Sequence, residues 1–207
     1  VTTKNKKTGE YDWSLSNPIG FAEWFFERNR IAFQRVKNIQ KSKIFDRYKS
    51  SGLFLKQEDV PNIHVKTPLQ RSIQLLKRHR DIFFAGEENE KCKPISMIIT
   101  VLASTIYNNE ETIYDTLKNI INTLVWHANK IMEKYDFNEK KATFDFPLIT
   151  RLADGTWEIS NPTCEDENFA ERWHEEVNGI PHARAIAFFN WIFQAKHDFI
   201  DNSGLSP

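Results

Sequence analysis

Apolar residues recur along this chain mostly at spacings of three and four, which predicts helices separated by short polar breaks. Asn17 is placed to cap, and Pro18 to open, a long helix running to about Tyr48, with Phe21, Trp24, Phe25, Ile31 and Val36 turned inward and Ser50-Ser51-Gly52 ending it. Residues 53–66, with Pro61, read as a connector. Thr67 then caps a second helix, Pro68 suits its first turn and Gln70 completes a capping box. On that helix Leu69, Ile73, Leu76 and Phe83 share one face, while Gln70, Gln74, Lys77 and Asp81 share another. Gly86 and the run Glu87-Glu88-Asn89-Glu90-Lys91 break the pattern before Pro94 starts the next element.

The segment from Ile95 to Tyr107 is rich in β-branched residues, and propensity alone favours a strand. It is too long for an ordinary strand and Pro94 suits a helix start, so a central buried helix is predicted. Asn109 precedes a further helix to about Tyr135, with Ile113, Leu117, Ile120, Leu124, Ala128 and Ile131 on its apolar face. Strands at Phe144 to Ile149 and Thr156 to Ile159 flank the turn signal Ala153-Asp154-Gly155. Two helices close the chain, at about 166–177 and 181–201. The second is opened by Pro181 and lined by Ala185, Phe188, Ile192, Ala195 and Phe199. Residues 1–12 read as a strand end and a turn. The predicted fold class is mainly α, a helical bundle with a small β-hairpin.

At 207 residues, with 40% hydrophobic and 27% charged residues, the chain has the composition of a globular protein able to bury a core. Lysine plus arginine and aspartate plus glutamate stand at 28 each, so overall charge gives no nucleic-acid signal. Locally, Arg28, Arg30, Arg35, Lys37, Lys41 and Lys43 crowd one stretch, either a solvated helix face or a positive wall toward phosphates. Cys92 and Cys164 lack C-x-x-C spacing, which speaks against zinc and against a disulfide framework and fits a reducing cytoplasm. The longest apolar run is too short for a bilayer, so no membrane partner is expected.

A hairpin of the helices on either side of the acidic break would bring Lys77 near Ser96, an ammonium beside a hydroxyl at a helix start. Such a pair can seat a polyphosphate. Within this region the pattern T-P-L-Q-R-x-x-Q-L-L-K-R-H-R-D (from Thr67) followed by K-P-I-S (Lys93 to Ser96) resembles the bacterial cyclic-oligonucleotide synthases. These are relatives of cyclic GMP–AMP synthase and oligoadenylate synthetase in the polymerase β-like nucleotidyltransferase superfamily. Two more segments are similar to that family's: Trp13 through Ser16-Asn17-Pro18 to Trp24-Phe25, and Asn161-Pro162 followed by Glu167-Asn168-Phe169-Ala170-Glu171-Arg172-Trp173.

The resemblance implies a C-terminal lobe of such an enzyme, with residues 1–16 as the end of the catalytic β-sheet lobe or a linker and 17–207 as the helical nucleotide-binding lobe. It implies that Lys77 and Ser96 contact a nucleoside triphosphate. On pattern alone Lys77 reads as a solvated helix lysine and Ser96 as a helix-start hydroxyl; for Ser96 both readings stay open. It also implies a full-length enzyme that makes cyclic di- or trinucleotide messengers in antiphage defence. The family's Gly-Ser turn and paired acids, which would hold two magnesium ions about 4 Å apart, have no counterpart here. Asp145, in Phe144-Asp-Phe-Pro147, comes after the helical hairpin and reads as an exposed strand position. The chain opens on Val1, so the expectation is a C-terminal part separated from its N-terminal catalytic half, inactive alone, with magnesium held by carboxylates outside it.

Other candidates are weaker. Arg78 and Arg80 point to different helix faces, and His79 reads as a packing or surface residue. His174 and His182 lack a third zinc ligand. Glu23, Glu27, Glu110 and Glu111 fall at helix-surface or helix-start spacings. Trp13, Trp24, Trp173 and Trp191 read as welds between helices. The rival readings are a free-standing helical sensor or interaction module and a helical oligomerisation domain.

Overall fold

A computed structural model of the chain describes residues 2–4, 11–13, 16–51, 65–134, 144–145 and 148–202. The expected connector at 53–66 falls almost wholly outside them. Helix α1 (Pro18–Ser50) begins where Asn17 Oδ1 accepts the Gly20 amide at 2.9 Å. A Cβ on Gly20 would meet the Asn17 side-chain amide and force it to shift from this capping position. Phe21 and Phe25 pack against the core, and Asn29 and Ala32 are buried. Ile31 is not turned inward as expected: it is 56% exposed. The inward line of α1 runs through positions 21, 25, 28, 29, 32 and 35, and residue 31 falls off it by helical geometry.

Two of the basic residues in α1 are neither solvated nor part of a free positive wall. Arg28 donates to the carbonyls of Ser104 at 2.8 Å, Thr105 at 3.0 Å and Tyr107 at 2.9 Å. Arg35 donates to the Asn109 carbonyl at 3.1 Å and pairs with Glu111. Arg28 thereby satisfies carbonyls that the C-terminus of α4 (Ser96–Ile106) leaves without intrahelical donors, while Arg35 holds the loop that follows it. The α4 segment is helical, as its length predicted against its propensity, and every residue from Ile98 to Ser104 is buried.

α2 (Pro68–Phe83) and α5 (Ile113–Lys134) pack on α4 and on each other, and α6 (Ala183–Lys196) packs on α5 and α2, to form the core. The α2 capping box is realised: Thr67 Oγ1 accepts from the Gln70 amide at 3.2 Å, and Gln70 Oε1 accepts from the Thr67 amide at 3.0 Å. Leu69, Ile73 and Leu76 are buried and Phe83 packs partly against them. A single turn, α3 (Glu87–Glu90), follows Gly86, whose φ of 114° suits glycine. Leu117, Ile120, Leu124, Ala128 and Ile131 are buried along α5, and Ala185, Phe188, Ile192 and Ala195 along α6. A π-helical turn, His197–Asp201, extends α6.

The strands are short antiparallel pairs. β1 (Thr2–Lys4) pairs with β2 (Tyr11–Trp13), and β3 (Phe144–Asp145), β4 (Thr150–Arg151) and β5 (Trp157–Glu158) form a three-stranded sheet in that order. The turn between β4 and β5 is the predicted one, with Asp154 Oδ1 accepting the Thr156 amide and Gly155 at φ 89°. The expected helix at about 166–177 is absent. β6 (Ser160–Asn161) pairs instead with β7 (Cys164–Asn168), and turns follow. The Asn168 side chain gives the backbone an alternative to helix: Oδ1 accepts from the Ile159 and Ala170 amides and Nδ2 donates to the Trp157 carbonyl at 2.7 Å. Asn161 does the same for the Thr163 amide while donating to Glu167 at 2.6 Å.

The C-terminal turn is tied to α2 through one ionisable pair. Trp191 Nε1 can only donate, so His79 Nδ1 accepts it at 2.9 Å and His79 Nε2 carries the proton toward Asp198 at 3.0 Å. Hydrogen bonds from His79, His197 and Gln194 hold the Asp198 carboxyl down at about 2. Its folded pKa lies below its unfolded one, so its contribution is complete above roughly pH 4 and is lost as pH falls through about 2. Asp198→Asn is therefore expected to lower the thermal midpoint at neutral pH and to match the parent near pH 2. A midpoint difference that persists unchanged at pH 2 would refute the tie.

Candidate functional site

The site is built where the last turns of α2 meet the start of α4. Lys77 lies on α2, half-buried, and forms no ion pair or hydrogen bond with any described residue. Burial first, and the nearby Arg80 guanidinium second, push its ammonium below the ordinary lysine range. Ser96 is the first residue of α4 and is also half-buried. It does not cap its own helix, since Ile95 holds the cap position. Its Oγ instead accepts a hydrogen bond from Arg80 Nη1 at 3.0 Å. Neither Lys77 nor Ser96 is sealed from solvent; no bond links the two, and Arg80 hydrogen-bonds the serine while its charge acts on the lysine.

Arg80, a weaker candidate in the sequence, turns inward. It is 7% exposed, with Nε and Nη2 on Asp81 Oδ1 at 3.1 and 2.7 Å and Nη1 also on the Pro94 carbonyl at 3.1 Å. Its bond to Asp81 holds that carboxyl below the usual range, an effect to which Lys93 adds. The helix-face argument correctly separated Arg80 from the exposed Arg78. It gave no sign that Arg80 turns inward, because the carbonyl and hydroxyl that receive it lie some fifteen residues away in sequence. Arg151 was missed in the same way: it is buried on β4, its guanidinium 5.7 Å from the Trp157 ring centre.

The remaining candidates are structural. His79 packs between Trp191 and Asp198, and His182 accepts the Trp157 indole N–H at 3.1 Å on Nδ1. Glu110 braces the loop before α5, accepting from the Asn108 amide and from Asn119. Trp173 and Trp191 are buried in one aromatic cluster, as welds should be. Asp145 lies on β3 as expected; its side chain is outside the description. Among the described residues no group of three or more His, Cys, Asp or Glu is disposed to hold a metal ion. A cavity of about 370 Å³ opens beside Lys93, Pro94 and Ile95, bounded across from them by Phe169, Arg172 and Trp173. Its lining includes neither Lys77 nor Ser96.

The segments that carried the sequence resemblance meet in space. Ser16 donates to Glu167 at 3.3 Å, Asn17 donates to the Thr163 carbonyl at 3.2 Å, and Phe21 meets Phe169 edge-on. Asn17 thus caps α1 and docks it on the β6–β7 turn, while Lys93 to Ile95 face Asn168 to Trp173 across the cavity. The chain is similar to a c-di-GMP synthase. It is 28% identical over 193 residues to the c-di-GMP synthase of Roseivirga ehrenbergii, a match that takes in 93% of this chain. This makes it a distant homologue of a cyclic-nucleotide synthase. The chain spans 42% of the length of that relative. No family model matches it. Among the described residues no helix is long and apolar enough to cross a membrane.

Proposed function

We propose that this chain is the helical, nucleotide-binding side of a nucleotidyltransferase that makes a cyclic oligonucleotide messenger, with Lys77 and Ser96 holding the triphosphate of one substrate. The observation that carries the reading is Lys77, a half-shielded ammonium with no counter-ion among the described residues, one turn from a buried arginine. A cation in that setting is stabilised by a polyanion, and the first turn of α4 adds amide groups of the same polarity. The named activity of the distant relative supports a nucleotide as that anion.

In the proposed reaction a ribose hydroxyl loses its proton and forms a bond to the α-phosphorus of a second nucleotide. The bond to pyrophosphate breaks and pyrophosphate leaves; a second such step closes the ring. The chain's own contribution is position and charge, the terms that matter most in phosphoryl transfer. In this reading the magnesium ion is held by carboxylates outside the 207 residues, which alone are expected not to turn over. The reading places the enzyme in the cytoplasm, as part of antiphage signalling. Incubating the full-length gene product with magnesium and α-labelled ATP and GTP should yield a phosphatase-resistant cyclic product with pyrophosphate release. Nucleotide binding without any transfer product would instead favour a non-catalytic sensor module.

A further inference from the structure

We infer that Arg80 is a positioning residue that presets the Ser96 hydroxyl as a hydrogen-bond donor toward the bound anion. The inference rests on the proposed role of Lys77 and Ser96. A guanidinium has five N–H donors and no acceptor. Four of Arg80's are used, two on Asp81 Oδ1 and one each on the Pro94 carbonyl and Ser96 Oγ. The contact with Ser96 therefore runs in one direction only: Arg80 donates and the serine oxygen accepts. One lone pair of that oxygen is occupied, and its own hydrogen is left to find an acceptor.

Thr100 and Thr105, further along the same helix, donate to the Ser96 and Val101 carbonyls at 2.9 Å. Ser96 opens α4, so no earlier turn of its helix offers it a carbonyl, and its hydrogen has no acceptor among the described residues. Its oxygen is anchored by Arg80, and its hydrogen stays free for an acceptor that approaches from solvent. Arg80 cannot itself turn toward the anion without abandoning Asp81, the Pro94 carbonyl and Ser96 together. Its charge is largely answered by Asp81, whereas Lys77 is left to meet the ligand. The buried arginine thus acts through the serine, by fixing the fork of carbonyl and hydroxyl at the start of α4.

The test is a double-mutant cycle on the full-length gene product, with GTP affinity in magnesium buffer read by titration calorimetry and folding by circular dichroism. Ser96→Ala is expected to weaken GTP binding roughly tenfold, the size of one hydrogen bond to a charged group. Arg80→Lys keeps the charge but cannot hold all three acceptors; it should weaken binding by a similar factor. The pair Arg80→Lys with Ser96→Ala should bind no more weakly than Ser96→Ala alone. If the two losses instead multiply, Arg80 acts on the ligand or the fold directly and the inference is overturned. The same holds if Arg80→Lys binds as the parent does. Should Arg80→Lys not fold, Arg80→Gln takes its place in the cycle. A different result, parent-like affinity in both Lys77→Ala and Ser96→Ala, would remove the triphosphate site itself rather than only the role of Arg80.

Discussion

Lys77→Ala in the full-length gene product is expected to lower the rate of cyclic-nucleotide synthesis by about 100-fold, the cost of removing one preorganised charge from a phosphoryl-transfer site. The same change should leave the unfolding midpoint unchanged or slightly raised. Lys77 has no partner among the described residues to lose, and burial already works against its charge. That combination separates a ligand-binding lysine from a structural one. Its pH dependence follows from the depressed pKa. The ammonium begins to lose its proton at lower pH than an ordinary lysine, and a triphosphate would bind the protonated form more tightly. Affinity should therefore decline on the alkaline side earlier than for a solvated lysine. Lys77→Arg, which stays charged at any working pH, should remove that alkaline limb even if it binds less well. Full activity in Lys77→Ala, or an alkaline limb unaltered in Lys77→Arg, would take Lys77 out of the site.

What the sequence made legible follows a physical division. The apolar faces of α2, α5 and α6 were readable because helical periodicity places every member of a buried stripe within a few residues of the next. The α2 capping box was readable for the same reason, its two partners being three residues apart. α4 required length to overrule propensity, and the burial of its whole middle shows why β-branched residues tolerate helix there. The failures involve polar side chains that bind backbone or hydroxyl groups, some distant along the chain and some close by. Ile31 was assigned to the core on hydrophobicity, yet the interface of α1 is made by Arg28, Asn29 and Arg35 reaching carbonyls and a hydroxyl beyond residue 66. The helix expected near 166–177 was displaced by two asparagine side chains that bind the backbone locally. Lys77 and Ser96 were named as candidates, whereas the inward turn of Arg80 was not foreseen, because its acceptors lie across the α2–α4 connection.

Trp157→Ala is expected to have the largest effect on stability, about 3–5 kcal/mol. Trp157 is fully buried at 0% exposure and stacks within a cluster whose ring centres lie 5.7 Å away at Trp173 and 5.9 Å away at Phe189. Its face receives the Arg151 guanidinium and its N–H binds His182. Alanine would leave a cavity, remove the ring under the Arg151 guanidinium and leave His182 Nδ1 without its donor, so the loss is a sizeable part of a typical total stability of about 5–15 kcal/mol. Trp157→Phe refills most of the volume but cannot donate to His182, and should cost about 1–3 kcal/mol. Urea denaturation would order the three chains by midpoint; equal midpoints for the Phe and Ala variants would mean that the hydrogen bond, not the packing, dominates. His182 supplies an independent readout. Burial first, then the charge of Arg151, push its pKa below the ordinary value of 6.5. Its neutral form is therefore worth most above about pH 6.5, and stability falls as pH drops toward the lower folded value. Opening the cluster with alanine admits water to His182 and should flatten that acid limb, whereas phenylalanine should preserve it. Because this cluster braces β5 and α6 rather than the α2–α4 junction, Trp157→Phe should keep GTP affinity, the reverse of the pattern expected at Lys77.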